Sequence, residues 1–174
     1  MIKPANIKDL QTAIRDSETP IEGVDLSALD QLIEHVPEDM TATVQGGMTL
    51  GNFQAQLSKR SQWLPVDPPN PEVTVAHLLD QNLSGPRRFG CGTLRDWLIG
   101  ICVVLPDGRL IRNGGKVVKN VAGFDLCKLF IGSRGTLGVI VEATFKLLPK
   151  PEAELFLKKE CASLDDAEQL LEQL

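Results

Sequence analysis

The sequence predicts a soluble α+β fold, and three observations carry that reading. Segments of helical period and segments of strand character both run along the chain. The strongest local signal is a hairpin: a buried strand over residues 96–105, a turn at Pro106-Asp107-Gly108, and a returning strand over 109–112. The composition is that of an ordinary globular protein, with 174 residues, 43% of them apolar and 24% charged, and a mean hydropathy of -0.03. A chain of this length buries roughly two-thirds of its unfolded surface in one domain, or in two small lobes sharing a core, without disulfide or metal staples.

Each element has its own local cause. Ile7, Leu10, Ala13 and Ile14 recur at helical spacing up to Arg15, and Pro20 with Gly23 closes that first helix. Val24-Asp25-Leu26 reads as a short strand, and Leu26, Leu29, Leu32 and Ile33 as one helical or turn-like face. Residues 41–45 are rich in β-branched side chains and end at Gly46-Gly47, a strand running into a turn. Thr49 is placed to cap a helix reaching about Arg60, with Leu50, Phe53 and Leu57 on one side. Pro65, Pro68, Pro69 and Pro71 exclude regular helix and central strand, so residues 65–71 form an extended loop. A short helix over 73–83 follows, then a glycine-rich stretch over 84–93. Beyond the hairpin, glycine recurs at 114, 115, 123, 132, 135 and 138 around an amphipathic segment over 124–131. Residues 139–148 form a strand stopped by Pro149 and Pro151, residues 155–159 an edge strand, and residues 165–174 a final helix.

Several function classes fall away. Lys+Arg 18 against Asp+Glu 23 gives a net charge of -5, so the molecule repels nucleic acid and anionic membrane at neutral pH. The longest apolar run, residues 97–105, has about half of the roughly 20 residues needed to cross a bilayer. The start of the chain lacks the apolar stretch of a secretory signal, and the cytoplasm is the expected location. Cys91, Cys102, Cys127 and Cys161 are too far apart for a zinc module or a disulfide framework and read as reduced, mostly buried thiols. A P-loop around Lys116 would need glycine at 110 and a hydroxyl at 117, where Leu110 and Val117 stand. Gly132, Gly135 and Gly138 follow one another at intervals of three ahead of a strand, which is not a Rossmann fingerprint. The glycine-rich bends can still bring bare backbone N–H groups close to an anion.

The run from Gly114-Gly115-Lys116-Val117-Val118-Lys119-Asn120-Val121-Ala122-Gly123-Phe124-Asp125-Leu126 to Gly132-Ser133-Arg134-Gly135-Thr136-Leu137-Gly138-Val139-Ile140 resembles the FAD-binding (PCMH-type) domain of the vanillyl-alcohol-oxidase/p-cresol-methylhydroxylase superfamily. Within it the chain is most similar to the E subunits of bacterial glycolate oxidases. Pro65-Val66-Asp67-Pro68-Pro69 and Ser84-Gly85-Pro86-Arg87-Arg88, with Gly92, Arg95 and Asp96, match in the same order, and the likeness spans about residues 24–151. It implies a two-lobed α+β domain: a smaller lobe over 1–72, a larger lobe with a mixed sheet over 73–160, and a C-terminal helix over 161–174. It also implies FAD as cofactor. Pro68, Thr74, Ser84, Gly85 and Gly92 would line the flavin and pyrophosphate side, and Gly135 and Val139 would meet the cofactor through main chain. The full enzymes move a hydride from a 2-hydroxy acid to the flavin, so the cofactor carries the reaction and no side-chain catalyst follows.

Three departures shape the expectation. The family's glycine-rich pyrophosphate loop is replaced by Ser17-Glu18-Thr19-Pro20-Ile21-Glu22-Gly23, which brings carboxylates where a diphosphate would lie. Ala76-His77 stand where the family has a Gly-Gly turn, and His77 reads as a partly exposed structural residue of its helix. The C-terminal substrate (cap) domain of complete members has no counterpart, so the domain reads as truncated. Arg87, Arg88 and Arg95 are candidates for phosphate, for a partner carboxylate or for solvent. Two functions stay open: an FAD-binding subunit of a 2-hydroxy-acid oxidoreductase, partnered by other flavoprotein or iron-sulfur subunits or by a second copy, and a cofactor-free interaction or scaffold subunit of a flavoprotein complex.

Overall fold

The structure, a computed structural model, describes residues 1–19, 23–115, 125–155 and 158–172. Helix α1 (Ile7–Arg15) starts where the Asn6 side chain accepts the Asp9 N–H at 3.0 Å, and it buries Leu10 and Ile14. Strands β1 (Leu32–Val36) and β2 (Thr41–Gln45) form a hairpin whose turn, Pro37–Asp39, ends on Met40 in the left-handed region at φ 52°. Thr49 caps α2 (Leu50–Ser58) by accepting the Asn52 N–H, and Leu50, Phe53 and Leu57 are buried as their spacing requires. After β3 (Gln62–Trp63) and the proline-rich loop come α3 (Val75–Asp80), α4 (Arg88–Cys91) and α5 (Leu94–Trp97). The predicted hairpin is β4 (Leu98–Val104) and β5 (Leu110–Gly114); α6 (Leu126–Phe130), β6 (Val139–Lys146), β7 (Leu148–Pro149) and α7 (Leu164–Leu171) complete the order.

Among the described residues five strands form one sheet in the order β1-β2-β6-β4-β5, and β3 pairs separately with β7. The sheet draws two strands from the 1–72 stretch and three from 73–160. The expectation of a mixed sheet is corrected: every pairing among the described strands is antiparallel, because two tight hairpins lie on either side of β6 and β6 runs against both β2 and β4. Along β6 the burial alternates. Ala143 and Phe145 face the core, while Glu142, Thr144 and Lys146 face outward. The Phe145 ring lies 5.9 Å from that of Phe53, fixing α2 on the inner face, and the Thr144 hydroxyl meets Thr43 at 2.9 Å on the outer one.

Two further readings are corrected. Leu26, Leu29, Leu32 and Ile33 do not share a helix: Leu26 and Leu29 are buried in a turn, while Leu32 begins β1 and Ile33 faces outward. The Gln45 N–H donates to Gln31 O at 2.9 Å and the Gln31 N–H to the Gln45 side-chain Oε1 at 3.0 Å, so pairing with β2 overrides the local spacing. Val24 contributes a single parallel bridge to Ile2 instead of a strand. Leu155, Lys158 and Lys159 lie in no strand, and residues 156–157 fall outside the described residues, as do 116–124, which carry much of the Gly114–Leu126 motif. Among the described residues no helix is long and apolar enough to cross a membrane.

A backbone-lined cleft as the candidate functional site

Three segments, distant in sequence, converge on one cleft of about 470 Å³. The first wall is residues 23–27. It is held to the start of the chain by Ile2 N–H to Gly23 O at 2.9 Å and by Asp25 N–H to Ile2 O at 2.7 Å. Here the Ser27 backbone N–H and then its hydroxyl, helped by Lys3 at 3.2 Å, hold the Asp25 carboxyl below the usual carboxylate range. The second wall is α3, whose N-cap Thr74 accepts the His77 N–H, with Ala76, His77 and Asp80 on the cleft. The third is the turn of residues 133–138 and the start of β6, where Arg134 (φ 54°), Gly135 (φ 72°) and Gly138 (φ 151°) carry the bends.

The bends are not equally open. A Cβ on Gly135 would meet no atom within 4 Å, so its bare backbone faces the cleft, whereas Gly138 packs against Val103 and Val104. A neighbouring cleft of about 530 Å³ shares Val24, Gly135, Gly138 and Val139 with the first and extends past Ser17, Glu18 and Thr19. Each volume lies in the roughly 300–1,000 Å³ range of ligand pockets. An uncovered glycine on an open channel is a place where main chain can approach an extended nucleotide, so the residues present fit FAD in shape. The charges facing the site are mixed: Arg134 against Asp25 and Asp80, with Glu18 on the neighbouring cleft, and the His77 ring lies beside them.

Of the residues singled out from the sequence, Thr74, Gly135 and Val139 line this cleft. Pro68, Ser84, Gly85 and Gly92 do not, and form a second group. Ser84 is buried, its Oγ accepting the Leu94 N–H at 3.1 Å and its carbonyl the Asp67 N–H at 3.3 Å. Gly85 (φ 76°) leaves room for Asp67, next to Pro68, and Gly92 (φ 86°) leaves room for Asp96. Arg87 is engaged within the molecule, 2.7 Å from Glu154 and 3.4 Å from Asp67, with its guanidinium 4.9 Å from the centre of the Trp63 ring. Cys102 and Cys127 are buried, and burial pushes both thiols up to about 11, which keeps them protonated at neutral pH; Cys91 and Cys161 are only partly buried.

Asp96 fixes the loop after Gly92. Its carboxylate accepts the Thr93 N–H at 2.7 Å and the Thr93 hydroxyl at 2.9 Å, and these bonds hold its pKa below the ordinary value. A depressed carboxyl stabilises the fold above its unfolded-state pKa, and the contribution is lost as pH falls through the folded one. Asp96→Asn is therefore expected to lower the melting temperature at neutral pH, and the gap to the unmodified protein closes in acid. A gap that persists unchanged below the carboxylate range would contradict the assignment.

Asp80, Arg134 and Asp25 were not singled out by the sequence. Asp80 lies six positions beyond the cap of its own helix, and no local pattern ties it to a turn more than fifty residues later.

Residues 15–114 match the family described as FAD binding domain. Glycolate oxidase subunit GlcD of Bacillus subtilis is 38% identical over 147 residues, covering 84% of this chain and 31% of that protein. Glycolate oxidase subunit GlcE of Escherichia coli is 37% identical over 152 residues, covering 85% of this chain and 43% of that protein. Among solved structures, an alkyldihydroxyacetonephosphate synthase superposes with a TM-score of 0.64 at 28% identity, over 75% of this chain and 23% of that one. The chain thus spans less than half the length of the relatives it matches. With more than half of its own length matched by the family, and its fold shared with a larger enzyme, it belongs to the FAD binding domain family.

Proposed function

We propose that the chain is the FAD-binding module of a 2-hydroxy-acid oxidoreductase and holds the cofactor along the cleft between residues 23–27, α3 and the 133–138 turn. One observation carries the reading: Thr74, Gly135 and Val139, separated in sequence, line a single channel in which Gly135 presents uncovered backbone. In this reading Gly135 and Val139 approach the cofactor through main chain, Thr74 orients the start of α3 beside it, and Arg134 supplies positive charge toward the diphosphate. Pro68, Ser84, Gly85 and Gly92, on the loops before and after α3, are assigned to the flavin side by the family likeness alone. Bound FAD supplies the hydride-accepting chemistry, and this chain contributes position and field.

The substrate class is supported by the two relatives named as glycolate oxidase subunits. Their names also support an assembly, with partners among flavoprotein or iron-sulfur subunits of a hydroxy-acid oxidase complex or a second copy of this chain. A visible absorption spectrum of the purified protein, followed by calorimetric titration with FAD, tests the central point. Flavin absorbance or saturable one-to-one binding is expected, and a colourless protein that takes up no FAD refutes the reading.

A further inference from the structure

We infer that the chain pairs with a second copy of itself by exchanging α7: the acidic, leucine-striped α7 of one protomer lies on an arginine-flanked aromatic knob at α4 of the other, and the reverse contact closes a twofold dimer. The pairing does not depend on bound FAD.

The knob is built around two bare apolar side chains. Phe89 on α4 is 86% exposed and Leu155 is 83% exposed. They belong to one surface, because the Arg87 guanidinium, two positions before Phe89, is held 2.7 Å from Glu154, next to Leu155. Arg88 lies 5.1 Å from the centre of the Phe89 ring, Arg95 stands exposed on α5, and neither is ion-paired among the described residues. The acids nearby are already engaged: Asp67 and Glu154 by Arg87, and Asp96 by the Thr93 N–H and hydroxyl. An exposed ring beside arginine is the composition of an interface anchor.

α7 is its complement. Leu164 and Leu171, 88% and 71% exposed, are seven positions apart and therefore share one face. Glu168, four positions after Leu164, and Glu172 edge that stripe, Asp165 and Asp166 fill the first turn, and no residue of the helix is buried. An eight-residue helix is too short to hold itself in water, so its leucine stripe needs a surface to cover it. Its own protomer leaves both the stripe and Phe89 bare. A second copy can cover both. Glu154 is pinned beside Arg87, and the ten residues from there to Leu164 reach about 33 Å at most. Two protomers facing each other at their knobs therefore bring each α7 to the other's Phe89, and two identical contacts close the assembly with none left open.

The test is sedimentation equilibrium of the full chain across the micromolar range, with circular dichroism to confirm that each variant is folded. The unmodified protein is expected to be a dimer that loosens as salt is raised. Reversing the knob with Arg88→Glu and Arg95→Glu, or the helix with Glu168→Lys and Glu172→Lys, puts like charges across both contacts, and each variant alone is expected to be monomeric. Mixed in equal amounts, the two are expected to dimerise, because every helix then meets a knob of opposite charge. Phe89→Ala removes an anchor from both contacts and is expected to weaken dimerisation about a hundredfold or more; it keeps the test intact if a reversal variant folds poorly.

A monomeric unmodified protein, whether its α7 folds back on its own Phe89 or serves another partner, overturns the inference. So does a dimer indifferent to charge reversal or to Phe89→Ala, or a pair of reversal variants that stays monomeric when mixed. None of these outcomes bears on FAD binding.

Discussion

Gly47→Ala is expected to destabilise the protein by about 4 kcal/mol, lowering its melting temperature by about 8–16 °C in a circular-dichroism melt. At the end of β2, the Gly47 N–H donates to Leu29 O at 2.8 Å. A Cβ there would overlap the Leu26 carbonyl and stand 2.8 Å from Leu29 O. Neither neighbour is the end of a flexible side chain. To make room, residues 26–29 must move as backbone, and residues 23–27 are tied to Ile2 by two hydrogen bonds. Because Leu26 also lines the cleft, the variant is expected to lose FAD affinity along with stability. Gly90→Ala is the control, since a Cβ there meets nothing within 4 Å. A Gly47→Ala protein melting within about 2 °C of the unmodified one would show that the 26–29 turn yields freely.

Gly135→Ala separates binding from folding. Its new methyl group would enter empty space, so only the left-handed backbone, at φ 72°, resists the change, at a cost of about 1 kcal/mol. The same atom stands where main chain would approach the cofactor, and FAD affinity is expected to fall about tenfold or more, or about 1.4 kcal/mol. Gly132→Ala has the same backbone demand at φ 81° and an ordinary 3.7 Å contact to Asn82, away from the cleft walls. It is expected to match Gly135→Ala in thermal stability while keeping FAD affinity. Parallel losses of affinity in the two variants would remove Gly135 from the site.

The elements legible in the sequence are those whose causes are local. The β4–β5 hairpin announces itself through an apolar run and Asp107-Gly108, while α1 follows from its buried stripe and α2 from its Thr49 cap and buried stripe. Leu32 and Ile33 were misread because their spacing from Leu26 and Leu29 imitates a helix, and only the β2 edge, seen in three dimensions, decides otherwise. In the cleft, glycine chemistry pointed to the bends over 132–138, and the family likeness supplied Thr74, Gly135 and Val139. The Asp80–Ser133 contact was not legible, because it joins a helix end to a turn through a fold-level encounter between residues that look unremarkable where they stand.

The strand order has a consequence for how this protein is made. β6 is the middle strand of its sheet, yet it leaves the ribosome after the other four. Until residue 139 emerges, the β1–β2 and β4–β5 pairs have no common neighbour, and β2 and β4 each present an unsatisfied edge able to recruit a stray chain. Nascent chains halted before β6 should therefore be aggregation-prone clients of chaperones. Release of a chain reaching Lys146 closes both edges in a single docking event.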